Sequence, residues 1–277
     1  MVSSILEAVD EPAVEWTPRR EALDPAAFDC GRVGPYALGP EIRCGPFGPV
    51  HLALGAHFDF VLELERVEVS GMDVPNDDYP FDGLGPRLLE RLNYCVGLGH
   101  PHVAELLGAG LDGEVPYVLR RHTLGRTLGE LMLDDVVPPP EVATGIVFGI
   151  AEALDYLAES GPRPGTCGLG GFDGHAVHVG WDGSCRLLGA GYALIRDRRL
   201  RADFESLRRF ARCLEPSLGK LIEGAKDLVD AATRLRRWHR DDCAHRRTLA
   251  SAWLRSVDPE GCAAYRRFFD LRPLSVH

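Results

Sequence analysis

The sequence predicts an α+β fold in two lobes, a small antiparallel sheet with one helix and then a mainly helical lobe. Three observations carry that reading. Tyr36–Gly55 and Phe58–Val69 are strand-like runs broken by glycine turns, and in the second Phe58, Phe60, Leu62 and Leu64 share one face while Asp59, Val61, Glu63 and Glu65 share the other. After Arg121 the period changes to that of helices, with a long run from Pro138 to Gly161 that is apolar nearly all round. The β-rich lobe closes with Val103–Arg121, which reads as two strands around an Asp112-Gly113 turn.

Each element follows from its residues. Residues 1–34 are rich in Pro, Asp and Glu with little periodicity and form an N-terminal extension. The β-rich lobe spans 35–121; its helix falls at about 86–98, where Leu88, Leu89, Leu92 and Cys95 recur at helical spacing. The helical lobe spans 122–277. It opens with a short helix in Leu124–Leu133 and continues with a buried central helix that starts after three prolines and stops before Gly161. A glycine-rich segment, 161–191, carries two short strands in Ala176–Gly183 and Cys185–Gly191, and helices joined by short turns fill 202–270.

Composition excludes several classes. The 277 residues are 45% hydrophobic and 26% charged, which suits a chain with a packed core and argues against disorder. No apolar stretch reaches the roughly 18 residues of a membrane span. Eight cysteines without a CxxC pair, after an acidic start with no signal peptide, read as reduced thiols of a cytoplasmic protein. The net charge of −10 is uneven: residues 1–100 carry −10, 101–200 carry −5 and 201–277 carry +5. Only the last third could attract a nucleic acid or an acidic partner. Lysine occurs only at 220 and 226, asparagine only at 76 and 93, and glutamine is absent.

The stretch LGHPHVAELLGAGLDGEVPYVLRRHTLGRTLGELM, Leu98 to Met132, resembles the eukaryotic-type protein kinase family in its His-Pro after the first helix, its strand pair, its hinge and its Gly-x-Thr-Leu. Similar order extends from about Tyr36 to Leu254. The resemblance implies a two-lobed kinase-like fold and five groups for phosphoryl transfer: a glycine-rich loop, a strand lysine paired with a helix glutamate, a catalytic-loop Asp and Asn, and a magnesium-binding Asp before Phe-Gly.

Those groups are substituted in turn. The glycine loop falls on Arg43 to Val50, keeping Gly45 and Gly48 but placing Arg43 at its first glycine and Pro46 and Pro49 where phosphate-binding N–H groups are needed. The strand lysine becomes Glu63, a charge reversal that would repel a nearby phosphate by roughly 1 to 4 kcal/mol at about 4 Å. The helix glutamate lands on Arg91, which suggests a sign-swapped cleft pair of Glu63 with Arg91. Arg120 stands at or beside the gatekeeper, where it either competes for Glu63 from inside the cleft or turns to solvent. In the catalytic loop Gly171 replaces the base and Ala176 the asparagine; Asp173 and His175 are near enough to offer a shifted base, although a carboxylate two residues away would point elsewhere. The magnesium aspartate becomes Gly189 in Gly189-Ala190-Gly191, and Asp203, Ser206 and Leu207 follow so soon that the activation segment is shortened.

A second His-Arg-Asp, His239-Arg240-Asp241, lies too late in the chain to be a catalytic loop. The His239, Asp242, Cys243 and His245 cluster lacks the second close pair expected of a metal site. The resemblance therefore implies a catalytically inactive pseudokinase with no cofactor, nucleotide or metal. It would act as a regulatory or scaffold module on a partner protein, such as an active kinase or another signalling protein. Two rivals stand beside it. One is an atypical transferase using Asp173, His175 or Glu63 in a remodelled cleft; the other is a binder of nucleic acid or acidic proteins through the arginines of 196–212 and Arg234, Arg236, Arg237 and Arg240, with Trp238 beside them.

Overall fold

In a computed structural model the described residues are 25–45, 48–67, 84–161, 167–192, 200–238 and 243–268. A six-stranded antiparallel sheet has the order β1 (Arg32–Val33), β2 (Tyr36–Gly45), β3 (Gly48–Leu54), β4 (Leu62–Arg66), β6 (Val115–Arg121), β5 (Leu106–Asp112). Gly113, at φ 64°, makes the β5–β6 turn with Asp112 paired to Val115. The end of the extension is docked on this sheet: β1 pairs with β2, and Phe28 is buried in the core.

Period-2 alternation puts the two faces of β4 to different uses. Leu62 and Leu64 pack with Val33, Leu38, Ala53, Tyr117 and Leu119 in an outer cluster. Val61 and Val67 join the main core, so Glu63 and Glu65, on the same side as Val61, also point inward. Helix α1 (Leu84–Asn93) lies against β5 and β6 and ends earlier than its spacing suggests, the chain turning at Cys95, whose N–H donates to Leu92 at 2.9 Å.

The helical lobe begins with β7 (Gly125–Thr127) and α2 (Leu128–Leu133). Thr127 and Glu130 form a reciprocal capping box that satisfies two end N–H groups. The 20-residue α3 (Pro140–Glu159) is the central helix; proline at its start needs no hydrogen-bond donor, and Ile146, Val147, Ile150, Ala151, Leu154 and Leu157 are all buried. Around it pack α4 (Leu200–Leu214), α6 (Leu228–Trp238) and α7 (Cys243–Val257), with α5 (Pro216–Glu223) and α8 (Pro259–Phe268) further out. Strands β8 (Val177–Gly180) and β9 (Cys185–Leu187) complete a three-stranded insert with β7. Among the described residues no helix is long and apolar enough to cross a membrane.

The lobes are joined by more than the hinge. Leu187 is hydrogen-bonded to the His-Pro segment in both directions, accepting from Ala104 N–H at 2.8 Å and donating its N–H to the His102 carbonyl at 2.9 Å. His100 stacks on Tyr156 of α3 at 4.9 Å. The His-Pro segment thus ties the turn after α1 to the second lobe, which fixes the cleft between them.

Candidate functional site

The cleft is filled by the chain's own charges. Arg43 at the end of β2 reaches Glu63 on β4 with both guanidinium nitrogens, Nη1 donating to Oε1 at 3.1 Å and Nη2 to Oε2. His122, just past β6, meets the same carboxylate through Nδ1 at 2.9 Å. Next to this group Arg120 donates through Nη1 to Glu65 at 2.8 Å, and the Tyr192 hydroxyl donates to Glu65 at 2.5 Å while accepting from Arg120 Nη2. Side-chain exposure is 6% for Arg43, 3% for Glu63, 2% for Arg120 and 0% for Glu65, so these are ion pairs out of water.

Burial of charge is costly unless it is paired and hydrogen-bonded, and here every charged member is. Burial by itself would lift the Glu63 carboxyl; the Arg43 guanidinium and the His122 contact together outweigh it and hold Glu63 well below the usual carboxylate range. Burial pushes the Tyr192 phenol well above its ordinary value, so it keeps the proton that it donates to Glu65. His178, on β8 in the next layer, is pushed down to about 3 by burial and then by the Arg43 charge, and stays neutral.

The glycine loop has turned to an internal anion. A Cβ on Gly45 would overlap the Glu65 carboxylate, so only glycine lets the β2 backbone lie on that group. Gly48 follows at φ 150° and opens β3, while Pro46 and Phe47 lie outside the described residues. The expected partner of Glu63 was Arg91. The backbone of Arg91 is in α1 and its side chain lies outside the described residues; the described partners of Glu63 are Arg43 and His122. Arg120 does turn inward, but to Glu65. Glu65, His122 and Tyr192 belong to this buried network and were not picked out from the sequence; the one available signal was that Glu65 shares the face of Glu63.

The catalytic-loop positions keep a backbone scaffold. Asp203 in α4, 1% exposed, accepts from the N–H of Leu169 at 3.0 Å and of Gly171 at 2.7 Å, and Ser206 Oγ accepts from Phe172 N–H at 3.1 Å. Gly171 sits at φ 98°, a conformation that an aspartate there would hold only under strain. Ala176 is buried. Asp173 is exposed and caps a 3-10 turn (Gly174–Ala176) by accepting from His175 N–H at 2.9 Å. Gly189 and Gly191 have φ 90° and 86° around a buried Ala190, so the turn expected from the resemblance at the magnesium position carries no carboxylate.

A cavity of about 580 Å³ remains below the loop, lined among others by Cys44, Gly45, Asp173, His175, Tyr192 and Glu205. Asp173 and Glu205 are both exposed, and Glu205 pairs with Arg208 at 3.3 Å. A second cavity of about 310 Å³ on the hinge side is lined by Arg43, His122, Thr123, Arg126 and His178.

This geometry, two lobes hinged at Arg121 with a glycine turn over the cleft and a buried aspartate under the catalytic loop, is matched by solved structures. The fold is that of a protein kinase domain. Crystal structures of the Mycobacterium tuberculosis PknI kinase domain are similar to it at a TM-score of 0.55, one with 17% identity over 80% of this chain and 97% of that one, another with 18% identity over 84% and 98%. No family model and no curated protein matches the sequence.

Four of the arginines expected to offer a basic surface are in ion pairs, whereas Arg209 and Arg237 are exposed. Arg208 pairs with Glu205, Arg212 with Glu223, Arg234 with Asp230, and Arg236 with both Glu152 and Asp155 of α3. Trp238 is half exposed beside them, whereas 196–199 and Arg240 lie outside the described residues. His239, Asp241 and Asp242 lie outside them too, and among the described residues no cluster of metal ligands occurs.

Two predictions follow from these contacts. Glu63→Gln leaves the buried Arg43 facing a neutral amide and should cost about 3 to 5 kcal/mol in urea denaturation. The folded Glu63 carboxyl is depressed, so its contribution is present above the unfolded value near 4.5 and is lost as pH falls through the folded value. The wild-type Tm should therefore fall more steeply below about pH 4.5 than that of the variant. Asp203→Ala removes the acceptor of two backbone N–H groups and should destabilise by roughly 2 to 5 kcal/mol, read as a lower urea midpoint at unchanged slope.

Proposed function

We propose that the chain is a pseudokinase, a kinase fold that works by binding a partner protein and not by phosphotransfer. The observation that supports it best is the self-filled phosphate site. Arg43–Glu63 and Arg120–Glu65 occupy the cleft, and the glycine loop rests on Glu65 where a kinase would rest on phosphate. A triphosphate entering there would face two carboxylates and would have to break two buried ion pairs. With Gly171, Ala176 and Gly189 at the catalytic and magnesium positions, binding alone would still leave no base and no metal ligand. Regulation would then come from docking on the lobes, as a scaffold in signalling.

Purified protein should show no thermal shift with ATP and Mg²⁺ at millimolar concentration. A stabilisation of several degrees would overturn the reading, because ligand at 100 times its Kd contributes about 2.7 kcal/mol.

A second reading, an atypical transferase in the remodelled cleft, draws on the cavity that holds Asp173, Glu205 and His175. Both carboxylates are exposed at its wall and Asp173 is committed to a turn cap, which weighs against a tuned acid-base pair. Incubation with ATP labelled in its γ-phosphate should leave protein and added peptide unlabelled. Label that is lost on Asp173→Asn and His175→Ala would favour the transferase.

A further inference from the structure

Cys95 and Cys167 are far apart in sequence and adjacent in the fold. Cys95 lies in the turn that ends α1; Cys167, 72 positions later, stands just before the catalytic-loop glycines. Both side chains are 0% exposed, and each thiol lies close enough to perturb the other's ionisation. Gly191 is packed between the same two residues. Its N–H donates to the Cys167 carbonyl at 2.9 Å, and a Cβ there would stand 2.5 Å from Cys95 Sγ. The N-lobe helix, the catalytic loop and the last glycine of the magnesium motif thus converge on one pair of thiols.

We propose that Cys95 and Cys167 form a reversible disulfide that latches the turn after α1 onto the second lobe. The oxidant is a peroxide. The Cys167 thiolate attacks one peroxide oxygen, the O–O bond breaks, Cys167 becomes a sulfenic acid, and the other oxygen leaves as hydroxide and takes up the proton that the Cys167 thiol released, giving water. Cys95 sulfur then attacks the sulfenic sulfur, the S–O bond breaks, and the hydroxyl takes the Cys95 proton to leave as a second water. Two thiols are oxidised and one hydrogen peroxide is reduced to two waters.

The two thiols are unequal in a way that suits this order. The nearby Cys95 thiol draws Cys167 below the ordinary thiol value against the effect of burial, while Cys95 is raised by its proximity to Cys167 and by burial. Cys185, buried without such a partner, is pushed up to about 12 by burial and is the inert contrast. The larger cavity is lined by Leu169 and Tyr192, two residues after Cys167 and one after Gly191, so a small oxidant would have to reach the buried thiols by local opening of this segment.

The latch is independent of nucleotide, so its test separates from that of the cleft. Native protein is treated with hydrogen peroxide, its free thiols are alkylated after denaturation, and linked peptides are mapped by mass spectrometry without reduction. The expected result is a dominant Cys95–Cys167 linkage, a rise in Tm of roughly 5 to 10 °C, and reversal of both by dithiothreitol. Cys95→Ser and Cys167→Ser should each lose the rise. If either variant fails to fold, the map of the wild-type protein decides. Recovery of both thiols in alkylated form, linkages confined to the exposed Cys30, Cys44 and Cys213, or a linkage that leaves Tm unchanged or lower would overturn the proposal.

Discussion

The ionised carboxylate of Glu63, buried on the inner face of β4, is the constraint around which the cleft is arranged. A carboxylate out of water is tolerable only with its charge countered and its lone pairs engaged. Arg43 supplies the counter-charge and two donors, and His122 a further contact. To bring Arg43 there, the end of β2 must fold over β4, which carries Gly45 onto Glu65. Glu65 in turn needs Arg120 and Tyr192, and Tyr192 reaches it from the far lobe. One reversed charge on a strand thus propagates to the glycine loop, the hinge strand and the segment after Gly191.

The rest of the kinase fold survives because its structural groups are separable from its chemical ones. Asp203 and Ser206 hold the backbone of 169–172 without asking anything of the side chains at Gly171 or Asp173. Burial raises the Asp203 carboxyl even though the loop N–H groups pull it down. That aspartate therefore adds order to the loop at some cost in ionisation. A loop kept in shape by backbone hydrogen bonds can lose its base and its asparagine and still close the core beneath it, where Leu169 and Phe172 are buried.

The two-lobe architecture was legible because it rests on periodicity: alternation in β2 to β4, the apolar run of α3, the glycine turn at Gly113. The substitutions at the positions that the kinase resemblance marks were legible too, since an absent lysine or aspartate is visible without coordinates. The identity of the partners was not. Arg91 was expected for Glu63 because a kinase pairs strand with helix, and its side chain lies outside the described residues; that Arg43 reaches Glu63 depends on how far β2 curls over β4, which no local pattern encodes. The register breaks of β2 at Glu41 and Arg43 are where that curl is made. Glu65 was hidden for another reason. A strand reading Leu-Glu-Leu-Glu is equally the signature of a half-solvated face, and only contact between the lobes determines that this face is covered.

Charge balance gives the physical argument for what such a cleft would no longer do. A kinase cleft without ligand is electrostatically incomplete: its lysine and its metal-binding acids await a magnesium triphosphate, and that imbalance is part of the attraction. Here Arg43 and Arg120 are matched by Glu63 and Glu65 at contact distance. The matched pairs leave little net charge among these four side chains. Reversing Glu63 alone to lysine would not restore the attraction. It would set a new cation against Arg43 with no anion between them, and at about 4 Å that repulsion amounts to roughly 1 to 4 kcal/mol under partial screening. Recovering a phosphate site would require removal of the Glu65 carboxylate from beneath Gly45 and of Arg43 from above Glu63 in the same step.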